Sequence, residues 1–124
     1  LPGKPTAVDV RRLSDLVTAN PRLIKMDIEG CEYEVLRDWM TSSWQCPYIA
    51  IEYNLEALDR MGVTGAQLRK LMADWGYEMF LLFSDGMLPL WVPEGVDVKC
   101  SRQNTDVLFC RSTDLVTLWP ELSV

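Results

Sequence analysis

Hydrophobic and polar positions alternate most clearly between Leu23 and Ile28, where Ile24, Met26 and Ile28 recur at the period of a strand with one face in a core. The pattern changes at Gly30. Beyond it Val35, Leu36, Trp39 and Met40 fall at helical spacing, so Leu23 to Glu34 predicts a strand ending in acids and a glycine, then a helix from about Cys31 to Met40. Tyr48-Ile49-Ala50-Ile51 repeats the plan after Pro47 and finishes in Glu52, Tyr53 and Asn54. Two buried strands joined by a helix predict a βαβ unit of parallel strands with a right-handed crossover.

The rest of the chain continues this α/β alternation. Ala7 to Val10 reads as a short strand, and Arg11 to Thr18 as a short amphipathic helix stopped by Asn20-Pro21. Leu55 to Met61 is a short helix closed by Gly62. Thr64 is placed to cap a helix from Gly65 to Trp75, with Leu68, Leu71, Met72 and Trp75 as its apolar stripe and Gly76 as a left-handed C-cap. Tyr77 to Phe83 predicts a third strand, and Asp85-Gly86 a turn opening a hairpin into Met87 to Val92. Thr105 to Arg111 is the last strand, expected to be antiparallel because no long helix precedes it. Ser112 to Val124 carries no decisive pattern.

Composition narrows what such a domain does. A chain of 124 residues is one domain at most, and 48% hydrophobic residues supply an ordinary core. The net charge of −6, with lysines and arginines scattered, argues against a nucleic-acid partner. No apolar run approaches the roughly 20 residues of a membrane-spanning helix. Histidine is absent, which removes Ser-His and Cys-His nucleophilic chemistry and histidine metal sites; acid–base work falls to carboxylates, lysines, tyrosines or thiols. Cys31, Cys46, Cys100 and Cys110 are too far apart for a zinc knuckle or a redox pair, and Cys31 and Cys110 read as small apolar core residues. The chain opens on Leu1 and not on a methionine, and the expectation is an excised piece of a longer protein. No feature assigns a compartment.

The candidate chemistry is carboxylate chemistry. Glu32 and Glu34 lie in a first helical turn, where acids complement the positive helix end, and Glu29 with Glu32 has the spacing of a capping arrangement. Glu29 is open to both a capping and a chemical role. Asp27 fits the capping account less well: it lies within the alternating strand, on the face opposite Met26 and Ile28, beside free backbone N–H groups that favour an ionised carboxylate. Glu52 and Asn54 end the next strand. If the strands are parallel neighbours, Asp27, Glu29, Glu52 and Asn54 share one rim, where open α/β sheets bind ligands. For Glu52, a bond to a nearby N–H or to Lys25 stands level with that reading. The tryptophans and methionines are expected in the core. No metal ligand set is assigned, no Walker loop or Gly-x-Ser-x-Gly elbow occurs, and the glycines stand singly.

Ile24-Lys25-Met26-Asp27-Ile28-Glu29-Gly30-Cys31-Glu32, followed by Glu34-Val35-Leu36, resembles the Ile-Lys-x-Asp-x-Glu-Gly-x-Glu signature of the FkbM-like S-adenosylmethionine-dependent methyltransferases. The resemblance continues through Ile51-Glu52-Tyr53-Asn54, the helix leading to Gly76-Tyr77, and Asn104-Thr105-Asp106-Val107-Leu108-Phe109. It implies a class I, Rossmann-like sheet in which these segments are strands four, five, six and an antiparallel seven. The residues before Ile24 are too few for three preceding strands and their helices, when one βαβ unit takes about 30 residues. The resemblance therefore implies the C-terminal half of a catalytic domain, residues 1–124, without its N-terminal cofactor-binding half.

The implied activity is methyl transfer from S-adenosylmethionine to oxygen on a small molecule or glycan, with the isolated chain inactive alone. The resemblance places Asp27 and Ile28 against the cofactor. Asp27, Glu29, Glu52 and Asn54 are the catalytic candidates, with Glu52 and Asn54 toward the acceptor. The competing reading is a non-catalytic module that self-associates or binds a partner through the open edge of the first strand. A carboxylate-dependent metal hydrolase ranks last.

Overall fold

The computed structural model describes residues 3–96, 98 and 105–122. In chain order the elements are α1 (Leu13–Leu16), β1 (Leu23–Met26), α2 (Glu32–Thr41), β2 (Tyr48–Tyr53), α3 (Leu55–Arg60), α4 (Gly65–Asp74), β3 (Glu78–Leu81), β4 (Leu90–Val92), β5 (Thr105–Cys110), α5 (Ser112–Leu118) and a 3-10 turn, Pro120–Leu122. The strands form one sheet in the order β1-β2-β5-β3-β4. β1 and β2 are parallel, as the βαβ pattern predicts, with Leu23 opposite Tyr48 and Met26 opposite Ile51. β5 runs antiparallel to both β2 and β3, inserted between them.

Strand alternation decides which side chains meet which helices. Ile24, Met26, Ile49, Ile51, Tyr53, Met79, Val107 and Phe109 share one core with Leu36, Trp39 and Met40 of α2, Leu58 of α3, and Leu68 and Met72 of α4. The intervening residues Tyr48, Phe80, Leu108 and Cys110 form a smaller core under Leu115 of α5. This second cover does not reach β1, whose Leu23 and Lys25 are exposed.

Thr64 caps α4 as expected, and the cap is a full capping box: its hydroxyl accepts from Gln67 N–H while the Gln67 side chain accepts from Thr64 N–H. Gly65 opens this helix because Tyr53 leaves no room for more; a Cβ there would lie 2.0 Å from the Tyr53 hydroxyl.

Several expectations are corrected. Ala7 to Val10 forms no strand and pairs with none among the described residues, since alternation without a neighbour makes no ladder. The helix expected over Arg11 to Thr18 is only Leu13–Leu16. The hairpin expected at Asp85-Gly86 is present and adds β4, antiparallel to β3, at the far edge, so the sheet has a second antiparallel strand besides the final one of the fold expectation. Trp75, assigned to the α4 stripe, is 48% exposed, and Trp91 is 54% exposed; of the five tryptophans only Trp39 is fully buried. Cys46 and Cys110 are buried thiols and Cys31 is half-buried. Cys100 and Asn104 lie outside the described residues.

Phe109 is central to the larger core and Trp91 stands on the β4 edge. Phe109→Ala should therefore cost about 3–5 kcal/mol and Trp91→Ala less than about 1 kcal/mol, read from urea unfolding midpoints.

Candidate functional site

The β1 ladder ends at Met26, and the next five residues turn the chain into α2. Cys31 N–H donates to the Ile28 carbonyl at 3.3 Å. Between them Glu29 has φ of 54° and Gly30 φ of 99°, both in the left-handed region, as in a type I′ turn. For Glu29 that backbone is disfavoured. For Gly30 it is free, and space makes glycine necessary as well: a Cβ would sit 2.2 Å from the Ala57 carbonyl oxygen of α3.

Glu32 completes the turn. Its carboxylate accepts from Gly30 N–H at 2.9 Å and from Ile28 N–H at 3.2 Å, and the side chain is 3% exposed. The expected Glu29–Glu32 capping arrangement is thus replaced by one in which Glu32 folds back over the turn by itself. No side chain caps α2. Glu34, in the same helical turn, instead points to solvent and pairs with Arg37.

The turn places Asp27 beside Glu52. Met26 lies opposite Ile51 in the parallel ladder, so Asp27 and Glu52 are the next pair beyond it, on the face shared by Lys25 and Ala50. A hydrogen bond between the two carboxyl groups is the main reason that the Glu52 carboxyl is pushed up from 4.5 to about 7; desolvation and the negative charges of Asp27, Glu29 and Asp106 act in the same direction. Asp106 arrives from β5, directly opposite Glu52. Two carboxylates sharing one proton near neutrality can accept or release it at physiological pH.

The four candidate acids and amides separate accordingly. Asp27, Glu29 and Glu52 are gathered at the carboxyl end of β1 and β2. Asn54 is engaged elsewhere: its side-chain oxygen accepts from Ala57 N–H at 3.0 Å, capping α3. Ile28, assigned to the cofactor, is 38% exposed next to Asp27, so the two present one apolar and one acidic wall at the rim. Among the described residues no group of three or more acids and cysteines is arranged to hold a metal ion. Two participants were missed. Asp106 has no signal until the strand order puts β5 beside β2; for Glu32 the sequence offers helix-end electrostatics or a capping arrangement with Glu29, and neither places its carboxylate across Ile28 and Gly30.

A cleft of about 620 Å³ opens further along the rim, lined by Tyr53, Leu55, Gly65, Arg69 and Glu94 among others. Its cations, Arg69 and Lys70, are already committed, Lys70 to the Asp74 carboxylate. Arg69 donates to the carbonyls of Val92, Pro93 and Val96, tying down the loop after β4.

A family model described as a methyltransferase FkbM domain matches residues 2–79, more than half the chain. The match covers Asp27, Ile28, Glu29, Glu32, Glu52 and Asn54 and ends within β3. No curated protein and no solved structure matches. No helix among the described residues is long and apolar enough to cross a membrane.

Two measurements check this geometry. Gly30→Ala should cost about 2–5 kcal/mol, since it combines left-handed strain with overlap on the Ala57 carbonyl, whereas Gly62→Ala, with φ of 75° and open space around it, should cost about 1–2 kcal/mol. The second concerns pH. Because the folded-state value of Glu52 is raised, the folded chain holds more protons than the unfolded one between about 4.5 and about 7. The Glu52 contribution to stability therefore falls as pH rises through that window. Glu52→Gln should flatten this slope, measured as the difference in urea midpoint between about pH 5 and about pH 7.5.

Proposed function

The chain belongs to the FkbM methyltransferase domain family, and from that premise we propose that its acidic rim serves methyl transfer from S-adenosylmethionine to an oxygen of a small molecule or glycan. The observation that carries the proposal is the Asp27–Glu52 pair. An acceptor hydroxyl is a poor nucleophile until its proton leaves, and a carboxylate titrating near neutrality can take that proton as the new bond forms.

Bound S-adenosylmethionine supplies a methyl group on a positively charged sulfur. The acidic rim is suited to that charge: Asp27 and Glu29 stand beside exposed Ile28, which offers an apolar contact. Glu52, once ionised, is the general base in this reading, and Asp27 beside it sets its proton affinity near neutrality. Asn54 supports the site indirectly, since it caps the helix whose Ala57 carbonyl sits against Gly30. Glu29 contributes charge at the turn.

The fold reading proposed is the C-terminal half of a class I sheet. Its support is the arrangement of β1, β2 and β3 with the last strand running antiparallel between two of them. Asp27 and Ile28 then form one wall of the cofactor site, and a polypeptide beside β1 supplies the others.

In the parent protein, Asp27→Asn and Glu52→Gln should each lower methyl transfer by about 10²–10⁴-fold, followed with methyl-labelled S-adenosylmethionine, and the wild-type rate should rise with pH through about 7 as Glu52 ionises. Unaltered turnover in both variants would remove the pair from the mechanism. Calorimetry with S-adenosylmethionine should detect binding to the parent and not to the 124-residue chain; micromolar binding by the chain alone would overturn the half-site reading.

A further inference from the structure

Glu32 is the only polar or charged residue that is buried among those described. Burial of a carboxylate costs several kcal/mol unless hydrogen bonds compensate it. Complementing the start of α2 does not require that burial, since Glu34 occupies the same helical turn in solvent. The two Glu32 oxygens go instead to Ile28 and Gly30, on either side of the left-handed Glu29 and immediately after Asp27. Asp27 itself lies one residue past the last ladder pair, so no strand pairing fixes it.

We propose that Glu32 is a positioning residue: by clamping the Ile28 and Gly30 N–H groups it fixes where the Asp27 carboxylate stands relative to Glu52. The clamp works against a fixed backstop. Gly30 is wedged on the Ala57 carbonyl of α3, which Asn54 caps, so the turn is held both by a side chain and by backbone. Without the two acceptors, Ile28 and Gly30 would lose their partners, and the disfavoured backbone of Glu29 would relax. Asp27 would move with it. The groups facing Glu52 are Asp27 and Glu29 from the turn and Asp106 from β5, with Lys25 earlier on the same face of β1. Of these, Asp27 and Glu29 depend on the clamp.

The catalytic meaning of this role rests on the methyl-transfer reading, but its test does not. In the 124-residue chain, Glu32→Gln keeps the side-chain shape and one acceptor oxygen but presents an NH₂ group to one backbone N–H. Glu34→Gln is the control from the same helical turn. Carbon-detected NMR of the side-chain carboxyl groups follows the titration of Glu52, and the amide spectrum reports folding. Glu32→Gln should leave the amide spectrum intact away from the turn and lower the Glu52 midpoint by about one pH unit or more, toward the ordinary glutamate range. Glu34→Gln should leave that midpoint in place.

A folded Glu32→Gln protein with the wild-type Glu52 midpoint overturns the proposal. If Glu32→Gln does not fold, Glu32→Asp, too short to span both N–H groups, is read by the same criterion. In the parent protein the acid limb of the pH–rate profile should move down with the Glu52 midpoint. Loss of the clamp effect would leave methyl transfer standing, and absence of methyl transfer would leave the titration result standing.

Discussion

The site depends on a close approach of backbone to backbone. The turn leaving β1 passes so near α3 that only a glycine fits against the Ala57 carbonyl. That contact joins two elements separated in sequence by the whole of α2 and β2, and it limits the paths by which the chain can leave the sheet. The left-handed conformation of Glu29 and Gly30 follows from the path, and the buried Glu32 carboxylate meets the N–H groups that the path leaves unpaired. The turn is constrained from several sides at the point where the candidate acids stand.

That constraint matters because the acids oppose one another. Asp27, Glu29, Glu52 and Asp106 would separate if the backbone allowed it, and their proximity is what moves the Glu52 proton equilibrium toward neutrality. The core beneath the sheet resists that separation. Ile24, Met26, Ile49 and Ile51 hold β1 and β2 against α2, so the strand ends carrying the acids cannot splay. Apolar packing on one face thus maintains an unfavourable charge arrangement at the rim, which is how the fold sets the proton affinity of Glu52.

Much of this was legible in the chain. The strand over Ile24 and Met26, the helix carrying Leu36, Trp39 and Met40, the strand at Ile49 and Ile51, and the capped helix from Gly65 all lie where hydrophobic period and cap residues put them. The failures share a cause. Ala7 to Val10 has strand-like alternation but no neighbour with which to pair; Trp75 has helical spacing but sits past the last turn of α4, where the core has ended. Local pattern describes what a segment favours, and pairing or burial depends on what stands beside it.

The same division holds within the site. The sequence by itself determined that Asp27 and Glu52 stand at the carboxyl ends of two neighbouring parallel strands, Asp27 one residue beyond a strand that stops at Met26 and not at the expected Ile28, because the βαβ pattern and its polar strand ends are local properties. Only the tertiary structure decided which acids act on one another. The register brought Asp27 beside Glu52, the insertion of β5 brought in Asp106, and the pressure of α3 on Gly30 turned Glu32 inward, away from the solvent that Glu34 keeps. Distance between charges is set by packing among segments remote in sequence, and no single segment contains it.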